Sequence, residues 1–131
     1  MRLLLDTHIW LWTLREPHKL TSLVHQAMFA PENDLYLSPI SIWEVCVLLE
    51  KRKIEMHEDF GVWFARTAQD LELQEANLHW QIAHEMRFIL PDHRDPADRF
   101  LVATAMVYNL VLVTADSKLL AVPGLMVLAN V

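Results

Sequence analysis

Leu3-Leu4-Leu5-Asp6 near the start of the chain and Val111-Leu112-Val113-Thr114-Ala115-Asp116 near its end decide the fold. Each is a short, almost purely apolar run that leads into an aspartate. Runs of this kind suit the central strands of a parallel sheet, which are covered on both faces. In open α/β sheets, ligands bind at the carboxyl ends of the strands. Asp6 and Asp116 both follow strands, so they stand where an active site belongs.

The segments between these runs read as helices and further strands. His8–Leu14 is a short helix ended by Glu16-Pro17. Leu20–Ala30 places Leu20, Leu23, Val24, Ala27 and Met28 at helical spacing. A turn over Pro31–Asp34 leads to a strand over Leu35–Ser38, and Pro39 opens a helix running to about Arg52. Helices over Asp59–Leu71 and Asn77–Leu90 each begin at a good N-cap residue, with a weak strand over Glu72–Glu75 between them. A polar loop over Pro91–Arg94 precedes a helix from Pro96 to Asn109, a strand from Leu110 to Thr114, a short helix from Ser117 to Ala121 and a last strand from Leu125 to Leu128. Strands that alternate with helices imply right-handed crossovers and a mainly parallel sheet, here in a three-layer α/β/α arrangement. The 131 residues make one domain without repeats or linkers.

Composition narrows the function. Two glycines exclude the glycine-rich phosphate loops, so a phosphate would be held through metal or basic side chains. A net charge of −6 argues mildly against nucleic acid, although part of that charge lies in acids that a divalent ion would offset. Cys46 is the only cysteine; among Val45, Val47 and Leu48 it reads as a small buried hydrophobe. No apolar run is long enough to span a membrane, and Asp6 interrupts the N-terminal apolar run before it resembles a signal peptide. The chain reads as soluble and cytoplasmic. Of the tryptophans 10, 12, 43, 63 and 80, most are expected in the core, the others at a partner groove.

Four acids carry the chemistry: Asp6, Glu44, Asp98 and Asp116. Carboxylates resist burial unless something positive compensates them. Asp6 and Asp116 serve equally well as helix caps. Glu44 has Ile40, Val47 and Leu48 around it on its helix, so it points inward or sits at the rim. Asp95-Pro96 with Asp98 is a good helix start, which accounts for Asp95 better than for Asp98, because the helix behind Asp98 is apolar nearly all round. Four converging carboxylates make a site for a hard cation and point to phosphate chemistry.

The ordered set LLLDTHIWLW, SPISIWEV, DPADRFLVATA and LVLVTAD resembles the PIN-domain ribonucleases, and within them the VapC toxins of bacterial type II toxin–antitoxin pairs. The resemblance spans the whole chain. It implies metal-dependent hydrolysis of RNA, with Asp6, Glu44, Asp98 and Asp116 holding one or two Mg²⁺ or Mn²⁺ ions. Thr7 and Thr114 match positions whose hydroxyls support the site, and Asp95 matches an additional acid. The resemblance further implies a VapB-type antitoxin that covers the site, and a homodimer. Arg94, Arg99 and Lys118 lie near the acids in sequence and are candidate RNA contacts, while Lys51-Arg52-Lys53 is explained by the dipole of the helix it closes. The seven histidines show no metal-ligand spacing. A haloacid-dehalogenase phosphatase needs an acid where His8 stands, and a receiver domain needs an acid pair that is absent. A catalytically silent PIN-like binding module is the alternative, which the intact acid set disfavours.

Overall fold

A computed structural model describes residues 1–89 and 93–131. Its sheet has five parallel strands: β1 (Arg2–Leu5), β2 (Asp34–Leu37), β3 (Gln74–Glu75), β4 (Val111–Thr114) and β5 (Val127–Ala129), in the spatial order β3-β2-β1-β4-β5. β1 lies at the centre, with Leu3, Leu4 and Leu5 all at 0% exposure. Among the described residues seven α-helices connect the strands: α1 (Thr7–Arg15), α2 (Ser22–Phe29), α3 (Pro39–Glu50), α4 (Phe60–Asp70), α5 (Trp80–Glu85), α6 (Pro96–Tyr108) and α7 (Ser117–Leu120).

The period-two alternation of strand side chains divides the interior into two cores. Leu3, Leu5, Leu35, Leu37 and Val113 join Ile9, Trp10, Val24 and Trp63 on one face. Leu4 and Leu112 meet Leu101, Val102, Ala105 and Leu119 on the other. The result is three layers, helices–sheet–helices. Trp10 anchors the first core, its ring centroid 5.5 Å from that of Trp63 and 6.0 Å from that of Phe64.

Several boundaries differ from the sequence reading, each for a local reason. Leu20 lies outside α2, because the Thr21 side chain caps that helix on Val24 N–H. A 3₁₀ turn over Pro17–Lys19 fills the gap that Pro17 opens. α5 begins after His79, whose ring accepts from Gln81 N–H, and not at Asn77, whose carbonyl accepts from the Tyr108 hydroxyl. After Glu85 the chain tightens to a 3₁₀ turn over Met86–Phe88. Leu90 and the start of the Pro91–Arg94 loop lie outside the described residues. Only Trp10 and Trp63 among the tryptophans are buried; Trp43 is 53% and Trp80 94% exposed. Cys46 is partly buried, not fully buried as its neighbours in sequence suggested. Among the described residues no helix is long and apolar enough to cross a membrane.

Candidate active site

The strand order reverses direction between β1 and β4: the chain builds outward to β2 and β3 on one side, then returns to add β4 and β5 on the other. Such a switch point opens a crevice at the carboxyl ends of the two strands. Asp6 follows β1 and extends its ladder, its N–H donating to the Val113 carbonyl at 3.0 Å. Asp116 follows β4 by two residues. A cavity of about 300 Å³ opens there, lined by Asp6, His8, Trp12, Glu44, Asp95, Asp98, Ala115 and Asp116.

Each acid is held by a different element. Asp6 sits at the N-cap position of α1, yet its side chain makes no capping bond. Its Oδ2 accepts from Thr114 Oγ1 at 2.7 Å, a fully buried contact. Glu44 reaches the cavity from α3, its Oε1 2.6 Å from Thr7 Oγ1. Thr7 Oγ1 is also 2.8 Å from Ser41 Oγ. A hydroxyl has one proton, so when Thr7 donates to Glu44 it accepts from Ser41. Asp98, in the first turn of α6, has Oδ2 2.8 Å from His93 Nε2. Asp95 and Asp116 do act as caps, accepting from Ala97 N–H at 3.0 Å and Lys118 N–H at 2.9 Å.

Burial without compensation shapes the electrostatics. Asp6 is 8% exposed, and its pKa is raised, chiefly by desolvation, against the lowering effect of the Thr114 hydrogen bond. Glu44 is pushed up to about 7, first by desolvation and then by the negative charges of Asp95, Asp6 and Asp98, with the Thr7 bond opposing. Asp98 is raised by desolvation, with the His93 hydrogen bond opposing and Asp95 and Asp6 adding repulsion. Among the described residues, no Lys or Arg pairs with Asp6, Glu44, Asp98 or Asp116. An all-oxygen carboxylate set with only His8 and His93 as neighbouring bases has donors of the kind a hard divalent ion takes. Among the described residues no three of these groups are drawn close enough to bind one ion directly.

The basic candidates separate. Arg94 and Lys118 line a cavity of about 490 Å³ together with His93, Asp95, Asp98 and Asp116. Arg99 lines neither cavity; its Nε and Nη2 donate to the carbonyls of Ile89 and Met86, both at 3.0 Å, and tie the end of the 3₁₀ turn to α6. Ser41, fully buried beside Thr7, escaped the sequence reading. Its signal was its place one helical turn before Glu44, on the same face of α3.

A three-layer fold with four carboxylates over its switch point defines an α/β protein built around an acidic crevice. The PIN domain family model matches residues 3–125, and the chain belongs to that family. Ribonuclease VapC22 of Mycobacterium tuberculosis (strain ATCC 25618 / H37Rv) is 30% identical over 118 residues, 88% of each chain. In structure the chain is similar to VapBC2 from Rickettsia felis, solved bound to a DNA fragment from their promoter, with TM-score 0.70, 15% identity and 98% of each chain covered. It is also similar to a toxin–antitoxin complex from Klebsiella pneumoniae, with TM-score 0.66, 23% identity and 98% of each chain covered. At these identities the structural likenesses speak for the fold.

Proposed function

We propose that this chain is the ribonuclease toxin of a type II toxin–antitoxin pair, a metal-dependent hydrolase of RNA phosphodiester bonds acting in the cytoplasm. The observation that carries the reading is the set of acids at the β1/β4 switch point, with no Lys or Arg paired to them among the described residues. Family membership and the name of the ribonuclease relative support it.

In this reading Asp6 and Asp98 hold Mg²⁺ or Mn²⁺, with Glu44 and Asp116 completing the shell directly or through water. The bound ion would polarise the phosphoryl group and make water a better nucleophile. The chain's own residues do the rest. Thr114 fixes the rotamer of Asp6, and Thr7, backed by Ser41, fixes that of Glu44. Where Glu44 or Asp116 meets the ion through water and not directly, that carboxylate would accept the proton of the attacking water. Asp95 orders the first turn of α6 and so places Asp98. Arg94, which lines a cavity with Asp98 and Asp116, would meet a substrate phosphate.

The structural neighbours are toxin–antitoxin complexes, which supports a VapB-type antitoxin as partner. Exposed Trp43, with Ile42, Phe64 and Leu73, lines an apolar groove beside α3 that suits such a protein segment. Exposed Trp80 and Phe88 on the α5 segment suit an isologous homodimer. The test is expression alone and with the neighbouring small gene product. Arrested growth that is relieved by the partner and by Asp6→Asn supports the toxin; harmless expression of folded protein sinks it.

A further inference from the structure

Lys51-Arg52-Lys53 closes α3, and helix-dipole complementation accounts for cations there. The structure adds a fact that this account does not need. Arg52 and Lys53 line a cavity of about 670 Å³ together with His8, Trp12 and Arg15. His8 and Trp12 are also walls of the acidic cavity, and that cavity shares Asp95, Asp98 and Asp116 with the one lined by Arg94 and Lys118. The three cavities adjoin through these shared walls, and the row they make is the trough. Cations stand at both ends, carboxylates at the middle, and Trp12 between the carboxylates and the far cations.

Charge along the trough is uneven in a telling way. The chain carries −6 overall. At the far end Arg15, Arg52 and Lys53 outnumber Glu16 and Glu55, and Glu16 is already paired with Lys19 at 3.1 Å. Arg15 Nη2 donates to the Glu55 carbonyl at 2.8 Å, which leaves its charge in place. The Lys19 ammonium that pairs with Glu16 also lies 5.4 Å from the Trp12 ring centroid. Arg52 has a left-handed backbone, φ 55°, a conformation in which glycine is favoured. Glu72 and Asn109 close α4 and α6 in the same way, so strain alone marks nothing. What distinguishes Arg52 is that the tight turn delivers its side chain, with that of Lys53, to the trough.

We propose that single-stranded RNA lies along this trough, its phosphates held by Arg94 and Lys118 on one side of the carboxylates and by Arg52 and Lys53 on the other, with a base against Trp12. The proposal rests on the ribonuclease reading and extends it, because both flanks of the scissile bond are bound, as internal cleavage requires. A cationic groove with an interleaved aromatic is the sequence-tolerant way to hold a single strand.

The test compares Arg52→Gly and Arg52→Gly/Lys53→Ala with the parent, each carrying Asp98→Asn so that the strand is not consumed. The probe is a fluorescein-labelled single-stranded RNA roughly twelve nucleotides long, in Mg²⁺. The double variant is expected to bind about tenfold more weakly. Its slope of log Kd against log salt is expected to be shallower by about 1.4, or about 0.7 for each lost phosphate contact. Arg52→Gly is expected to melt no lower than its parent, because glycine relieves the left-handed backbone; this separates binding from folding. Unchanged affinity and slope in the folded double variant overturn the trough. So does a larger loss of binding to a polyglutamate peptide than to RNA, which would assign these cations to an acidic protein partner. With Asp98 intact, RNA cleavage with unchanged KM in Arg52→Gly/Lys53→Ala leaves the ribonuclease reading standing and removes the trough. Neither cleavage nor RNA binding by the unmutated protein removes both.

Discussion

Thr114 Oγ1 donates to Asp6 Oδ2 at 2.7 Å and accepts from Asp116 N–H at 3.1 Å, so one hydroxyl joins the acids at the ends of β1 and β4. Both bonds depend on the register that sets Leu5 beside Val113. A shift of one residue would turn Thr114 to the other face of the sheet. The site is therefore assembled by strand pairing across residues far apart in sequence.

Thr114→Val keeps the shape of this side chain and removes the donor. The expected outcome is a loss of about 1–3 kcal/mol of stability, since a buried carboxylate loses its partner. Cleavage is expected to fall by about 10–100-fold, as for other residues that hold a metal-seeking carboxylate. Thr114→Ser should restore most of both. Thermal melts and RNA cleavage rates check this, and full activity in Thr114→Val would show that the bond does not position Asp6.

Asp6→Asn is expected to reduce cleavage by more than the about 10–100-fold of a supporting residue, while the fold survives. Without metal at neutral pH its melting temperature should equal or exceed that of the parent, because an amide replaces a buried acid that burial already disfavours as an anion. Unchanged turnover would remove Asp6 from the site.

The raised acids make stability depend on pH in a stated direction. Glu44 moves from 4.5 to about 7, and Asp6 and Asp98 are also raised. Between the unfolded and folded values the native protein holds more protons than the unfolded chain, so stability falls as pH rises. The contribution is full below the unfolded values and lost as pH passes through about 7. In chelator, the melting temperature should decline from about pH 5 to about pH 8. Mg²⁺ should raise it most at the upper end, where the acids are ionised and bind the ion without releasing protons. A melting temperature that climbs through this window in chelator would contradict the shifts.

Trp10 is fully buried, and its Nε1 has no hydrogen-bond partner among the described residues. Trp10→Ala should cost about 3–5 kcal/mol. Trp10→Phe should cost much less than that range, because it removes the unpaired N–H along with part of the ring. Chemical denaturation of the two variants checks this; equal costs would mean that the indole N–H is satisfied in solution.

Much of this was legible in the sequence because strand and acid are adjacent in it. Leu3–Leu5 ending at Asp6 and Val111–Val113 leading to Asp116 announce both the sheet and the crevice. Glu44 was visible as an acid among apolar helix neighbours. What the sequence did not reveal depends on packing between distant segments. Whether Asp6 caps α1 or faces the crevice is decided by Thr114, which lies 108 residues away. Ser41 and His93 show their contacts only when α1 meets α3 and when the segment before α6 folds back on it. Arg99 follows Asp98 directly, yet α6 turns it to the Met86 and Ile89 carbonyls. Arg52 and Lys53 follow Glu44 by eight and nine residues, but that their cavity adjoins the acidic one shows only in the fold, where α1 supplies His8 and Trp12 as a shared wall.

The central claim is that these carboxylates hold a divalent ion and use it to cleave RNA. The most direct measurement is cleavage of a mixed RNA pool by the purified protein in Mg²⁺ or Mn²⁺, in EDTA, and by Asp98→Asn in metal. The account predicts cleavage with metal, none in EDTA, recovery on adding metal back, and none in the variant. Equal cleavage in EDTA, or an active Asp98→Asn protein, would contradict it.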